Sequence, residues 1–144
     1  MVQAQSVTEI LGGVEAIGRK VKSDLELAAV IRIGFWPTVI DQLFDGEILS
    51  RSDIDRLVMP RRTLNHRIKK GERLTRDESD RVARIARIIA LTNDTFGDHQ
   101  KAVTWLQKKQ RGFAGQTAIE LLDTEEGARV IEDRLNRIAH GLAA

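Results

Sequence analysis

Cysteine is absent from this chain of 144 residues, which removes disulfides, thiolate zinc sites and cysteine nucleophiles together and suits a reducing compartment. Proline occurs only twice, and sustained alternation of apolar and polar residues is almost missing. Long stretches rich in Ala, Leu, Ile, Arg and Glu favour helix nearly throughout instead. The three histidines, His66, His99 and His140, lie far apart with no ligand spacing, so neither a metal nor a cofactor is expected. No run of about eighteen apolar residues offers a membrane span, and the opening "MVQAQSVTEILGG" lacks the basic and apolar segments of a secretion signal. The expectation is an all-α, cytoplasmic protein.

What the chain does carry is the composition of a folded globular protein, 42% hydrophobic and 31% charged with a mean hydropathy of −0.27. Its length allows one sizeable core, or two small helical subdomains sharing one. The net charge is only +2, but it is unevenly spread. Between 61 and 73, Arg61, Arg62, Arg67, Lys69, Lys70 and Arg73 face Glu72 alone, a local +5. Between 115 and 144, Arg129, Arg134 and Arg137 face Glu120, Asp123, Glu125, Glu126, Glu132 and Asp133, a local −3. Such asymmetry suggests two ends with different partners.

Helix signals follow one another along the chain. Asp24 reads as the cap of a short helix carrying Leu27, Val30 and Ile31, which Gly34 ends. Pro37 suits a first helical turn before Val39, Ile40, Leu43 and Phe44, up to Asp45-Gly46. Ser50 and Asp53 form a capping-box pattern for a helix burying Ile54, Leu57 and Val58. Pro60 cannot extend that helix but is placed to start another. Helix, tight turn, helix is the helix-turn-helix arrangement.

Thr75-x-x-Glu78 then opens a long helix, the expected spine, with Val82, Ile85, Ile89 and Phe96 on one stripe and Ile88 and Leu91 beside it. Asp98 caps a helix bearing Ala102, Val103, Trp105 and Leu106, which Gly112 and Gly115 break. "TAIELL" forms a short helix, and Thr124 starts a last, amphipathic one with Ile131, Leu135, Ile138 and Leu142. Residues 1–22 are the least legible; "LGG" reads as a turn. A soft boundary near residue 97 separates a helix-turn-helix and dimerisation region, 1–97, from 98–144.

In the helix after Pro60, Leu64 and Ile68 are i, i+4 partners expected to face inward. At about 100° per residue, Arg62, His66, Lys69 and Lys70 point nearly opposite, with Thr63 and Asn65 on the flanks. These are the groove-reading candidates. Arg and Lys meet phosphates, and Asn65 and Arg62 have donor and acceptor patterns that pair with adenine or guanine edges. Arg61 suits a phosphate at the helix start, and Arg67 a local ion pair. Catalysis by His66 would need a partner acid or nucleophile, and none is specific enough. One such helix makes a small interface, so a homodimer on a two-fold operator is expected, with apolar surface of the helices around 24–45 as its seam.

Blander readings stand beside these. A cationic helix face is also what an ordinary solvated helix presents, although the turn at Pro60 would make this one rigid and convex. Ser79, Asp80 and Arg81 form a polar triplet better suited to bracing a neighbouring helix than to holding a ligand. Trp36 and Trp105 read as core or interface anchors. The tail "RLNRIAHGLAA" is either a frayed terminus or a small apolar hook beyond Gly141.

The ordered phrases Arg62-Thr63-Leu64, Ser79-Asp80-Arg81, Phe96-Gly97, Trp105-Leu106, Glu120-Leu121-Leu122, Thr124-x-x-Gly127 and His140-Gly141 resemble the Xre/ParS/MbcA family of antitoxins, the DNA-binding partners of RES-domain toxins. The resemblance is strong from about residue 60 to 142 and looser over 24–58. Two features depart from the family pattern: Ala118 stands where a proline is usual, and the loop "KKQRGFAG" is more basic. The resemblance implies an N-terminal region that represses its own operon and a C-terminal domain, 98–144, that binds the toxin and occludes its NAD-degrading site. It places Arg134, Arg137, His140, Gly141 and Leu142 near that site, which favours the hook over the frayed end. Without the resemblance, a stand-alone repressor with a C-terminal dimerisation domain, or a helical adaptor for an acidic protein, would remain open.

Overall fold

The computed structural model describes residues 2–141. Ten α-helices follow in order: α1 (Ala4–Ile10), α2 (Gly13–Ile17), α3 (Asp24–Ile33), α4 (Val39–Asp45), α5 (Arg51–Leu57), α6 (Arg61–Lys70), α7 (Arg76–Phe96), α8 (His99–Gln107), α9 (Ala118–Leu121) and α10 (Glu125–Ala139). A single 3-10 turn, Arg111–Phe113, separates α8 from α9. There is no strand among the described residues, so the all-α expectation holds.

The spine is α7. Its 21 residues make a rod of about 31 Å at 1.5 Å per residue, and α1, α3, α8 and α10 all pack on it. The apolar stripe read from the sequence is present but wider, because neighbours lie on several sides. Val82, Ile85, Ile88, Ile89 and Leu91 are buried together with Ala83, Ala86 and Ala90, whose small side chains let neighbouring helices come close. Thr92 lies in that core with its hydroxyl satisfied by the Ile88 carbonyl, 2.6 Å away, as a buried polar group requires.

Local signals placed most helix starts. Both capping boxes form: Ser50 with Asp53, and Thr75 with Glu78. Asp98 and Thr124 cap α8 and α10 as expected. The cap of α3 is Ser23, whose hydroxyl accepts from Glu26 N–H, while Asp24 is the first helical residue; that expectation was off by one. Gly34 does end α3. The helix α8 stops at Gln107, ahead of the two glycines expected to break it. The Gln110 side chain donates to the Trp105 carbonyl at 3.1 Å, satisfying one of the carbonyls left over at that helix end. At α9, Ala118 occupies the first helical position, where a proline would lose nothing by lacking its N–H. A capping box from Thr117 and Glu120 starts the helix without one.

Two elements escaped the sequence reading. Residues 1–22 hold α1 and α2, with Ala4, Val7 and Leu11 buried. The N-terminus of α1 has no side-chain cap, so its seven residues are held by docking on α7 and not by local preference. In α10, Gly127 lies so close to the Leu121 carbonyl of α9 that any Cβ there would collide with it. This approach accounts for a glycine three residues after the Thr124 cap.

Candidate nucleic-acid interface and the C-terminal face

Ile54 and Leu57 of α5, and Val58 and Met59 of the following turn, are buried, which fixes the direction in which the chain leaves α5. Arg81 of α7 donates to the Val58 carbonyl at 2.9 Å and pins the turn from below. Pro60 sits in extended conformation as the N-cap residue of α6. Leu64 then buries the inner face of α6, at 6% exposure.

Ile68 does not join it. At 57% exposure it points to solvent, contrary to the i, i+4 expectation. The reason is electrostatic: the second attachment of α6 to α7 is made by Arg67, which lies on the other side of Leu64 around the helix. Its guanidinium grips Glu78 side-on, Nε to Oε1 at 3.3 Å and Nη2 to Oε2 at 3.4 Å, and reaches Glu72 at 3.3 Å. Burial pushes the Glu78 carboxyl up, but the Thr75 N–H and the Arg67 guanidinium more than offset it and hold the group below the ordinary glutamate value. The ion pair expected of Arg67 is thus a clamp between two helices, made on the side of Leu64 away from Ile68, which is left outside.

The opposite face is free. Arg61, Arg62, Asn65, His66, Lys69 and Lys70 are exposed, and Thr63 is half-buried on the flank. Among the described residues, Arg61, Arg62, Lys69 and Lys70 enter no ion pair. Arg73 is set apart from this row. Its guanidinium lies 4.1 Å over the ring of Trp36 and donates to the Gly34 carbonyl, so Trp36 is a half-open platform, 39% exposed, and not a core residue. In the polar triplet, Ser79 is fully buried and accepts from Phe35 N–H at 2.9 Å, while Arg81 braces the turn. Both serve structure, as the bland reading held.

The C-terminal candidates divide. Arg134 is half-buried, its guanidinium lying against Gly112, where a Cβ would collide with Nη2. Arg137 is exposed and pairs with Asp133 at 3.2 Å. His140 is exposed, with Nδ1 2.7 Å from the Asn136 carbonyl. It lines a cleft of about 620 Å³ that Leu27 and Ile31 of α3, Arg84 and Arg87 of α7 and Glu132 of α10 also border. Gly141 follows with φ +69°; Leu142 lies outside the described residues. Sequence reasoning passed over Arg84 and Arg87, which share Glu125 at 3.0 and 3.3 Å and so join α7 to the start of α10. Their i, i+3 spacing on α7 was the available signal.

Residues 26–87 match the antitoxin Xre-like helix-turn-helix domain, and residues 92–141 match the antitoxin Xre/MbcA/ParS C-terminal toxin-binding domain. An antitoxin Xre of Pseudomonas putida is 38% identical over 119 residues, covering 83% of this chain and 74% of the relative. Another, of Yersinia enterocolitica, is 33% identical over 128 residues, covering 88% and 86%. A third, of Photorhabdus laumondii, is 31% identical over 130 residues, covering 89% and 88%. The chain belongs to the Xre/MbcA/ParS antitoxin family.

This antitoxin therefore has a helix-turn-helix domain, which implies DNA, and a toxin-binding domain, which implies a toxin; it is a binding protein and not an enzyme. The two matches meet inside α7. One unbroken helix thus carries Glu78, which clamps α6 within the helix-turn-helix match, and Phe96, which packs 5.7 Å from Trp105 within the toxin-binding match. Among the described residues no helix is long and apolar enough to cross a membrane, and no group of side chains could hold a metal ion.

Proposed function

We propose that this antitoxin represses its own operon through α6 and neutralises a RES-domain, NAD-degrading toxin by covering its active site with the end of α10. Both acts would take place in the cytoplasm. The observation that carries the DNA half is the exposed, ion-pair-free row of Arg61, Arg62, Lys69 and Lys70 flanking Asn65 and His66 on one rigid helix. Cations already spent on internal carboxylates would add little to phosphate binding; these are not spent. Thr63 lies at the edge of the same row. On the toxin side, Arg134, Arg137, His140 and Gly141 lie on the last turns of α10 and just beyond, leading into Leu142.

A single recognition helix is a small interface, so the protein would bind a two-fold operator as a homodimer. Leu25 and Ile33 of α3, 77% and 58% exposed, would offer the apolar seam. The division of labour would fall near residue 97, with 98–144 facing the toxin.

The test is to delete residues 137–144 and co-express the shortened chain with the RES-domain protein encoded beside its gene. We expect circular dichroism and promoter binding to be retained and growth protection to disappear. A shortened chain that still fully protects cells would place occlusion elsewhere. Absence of any adjacent RES reading frame would turn the reading toward a stand-alone repressor.

A further inference from the structure

The toxin-binding domain is less acidic in practice than its residue count. Glu125 is shared by Arg84 and Arg87, Glu126 meets Arg129, and Asp133 meets Arg137. The cations of the preceding segment, and Arg134 within α10, are not so engaged. Lys101, Lys108, Lys109, Arg111 and Arg134 form no ion pair among the described residues. Asp98 is the one acid between 98 and 114, and its carboxylate is occupied capping α8 through Gln100 N–H at 2.9 Å.

These five cations are gathered, not scattered. Lys101 and Lys108 both border a shallow groove of about 360 Å³ that Phe96 and Trp105 also line. Lys109 and Arg111 follow on the loop, and the Arg134 guanidinium rests on Gly112 next to Arg111. The loop backbone is held firmly. Phe113 is 3% exposed and sits edge-on to Trp105 at 5.8 Å, and Gln110 N–H donates to the Gln116 carbonyl at 3.1 Å. Ala114 is kept at φ +56°, a conformation costly for a residue with a Cβ. A pinned loop that presents unpaired cations beside aromatic rings has the make-up of an interface anchor.

We infer that the loop from Lys108 to Arg111, with Lys101, and meeting the α10 site at Arg134, is a second toxin-docking strip that receives a carboxylate-rich surface of the toxin outside its active site and so selects the partner. The inference rests on the functional reading above. The strip lies wholly within the residues that match the toxin-binding domain. It also sits at the Phe96 end of α7, the far end from the Glu78 clamp on α6, so a protein surface is favoured over the phosphates that α6 would meet. A cationic strip inside the toxin-binding domain would fix the docking orientation, because a toxin lacking the matching carboxylates would leave it unpaired.

The probe is the inactivated RES-domain protein encoded beside this gene, titrated by calorimetry at about 50 mM and about 300 mM salt, concentrations that bracket ordinary screening. Two variants are compared with the unaltered chain: Lys108→Glu/Lys109→Glu/Arg111→Glu, and the milder Lys108→Gln/Lys109→Gln/Arg111→Gln. Melting temperature and promoter-DNA anisotropy are followed in parallel. We expect the reversal to raise Kd by about tenfold or more, the neutralisation by less, and the salt dependence to flatten in both. DNA affinity and melting should not move. Unchanged Kd and salt dependence in the folded Gln variant overturn the inference and leave the functional reading intact. Loss of DNA binding with toxin binding unchanged assigns the strip to phosphates and overturns it too. If the unaltered chain fails to bind the RES-domain protein, the functional reading falls and this inference with it.

Discussion

Glu78 holds three partners at once: the Thr75 N–H at 2.8 Å, and two nitrogens of Arg67. Replacing it with Gln keeps a side chain able to complete the capping box but removes the ionic clamp on α6. We expect Glu78→Gln to lower stability at neutral pH by about 1 kcal/mol, the pair being discounted because the Arg67 partner of the buried carboxylate is itself partly open to water. The pH dependence follows from the direction of the shift. A carboxyl held below its ordinary value contributes fully above that value, about 4.3, and its contribution fades as pH falls through the depressed one. Chemical denaturation at pH 7 and in the acid range should therefore show the variant converging on the parent as the pH drops. A deficit that persists undiminished in acid would show that the clamp is not ionic.

At the level of elements, α6 is docked by one apolar residue and one guanidinium. Leu64→Ala should cost about 2–4 kcal/mol by emptying its buried site, whereas Ile68→Ala, at a position already open to water, should stay within about 0.5 kcal/mol. Thermal melts of the two variants decide it; equal losses would restore the inward reading of Ile68. This contrast shows what the sequence could and could not convey. Capping boxes at Ser50 and Thr75 were legible because their donors and acceptors lie within three residues of each other. The outward setting of Ile68 was not, because the docking of α6 involves a buried carboxylate eleven residues from Arg67 whose burial is set by tertiary packing. The same holds for α1, which has no side-chain cap to announce it and is defined by the groove it fills on α7. The outward row of α6 survived this error because Arg62, His66, Lys69 and Lys70 lie far enough round the helix to remain exposed under either docking. For α10, the amphipathic pattern was legible, but Arg134 against Gly112 was not, since no local periodicity reports an approach across 22 residues.

Over the whole molecule, α7 runs through both matched domains, with the proposed cationic ridge of α6 near its start and the toxin-binding domain near its end. Its core stays continuous across the two matched domains: Ile85 in one, Ile88 between them, and Leu106, Ile131 and Leu135 in the other, all at most 1% exposed. Such a design makes the two activities separable by surface substitutions that leave the spine untouched. The most direct measurement is anisotropy of labelled upstream promoter DNA across a salt series, with Arg62→Ala/Lys69→Ala against the parent, alongside toxin neutralisation in cells. The account predicts weaker DNA binding, a slope of log K against log salt flatter by roughly 0.9 for each phosphate no longer neutralised, and full protection from the toxin. Unchanged DNA affinity and slope at moderate salt, in a variant that melts like its parent, would contradict it.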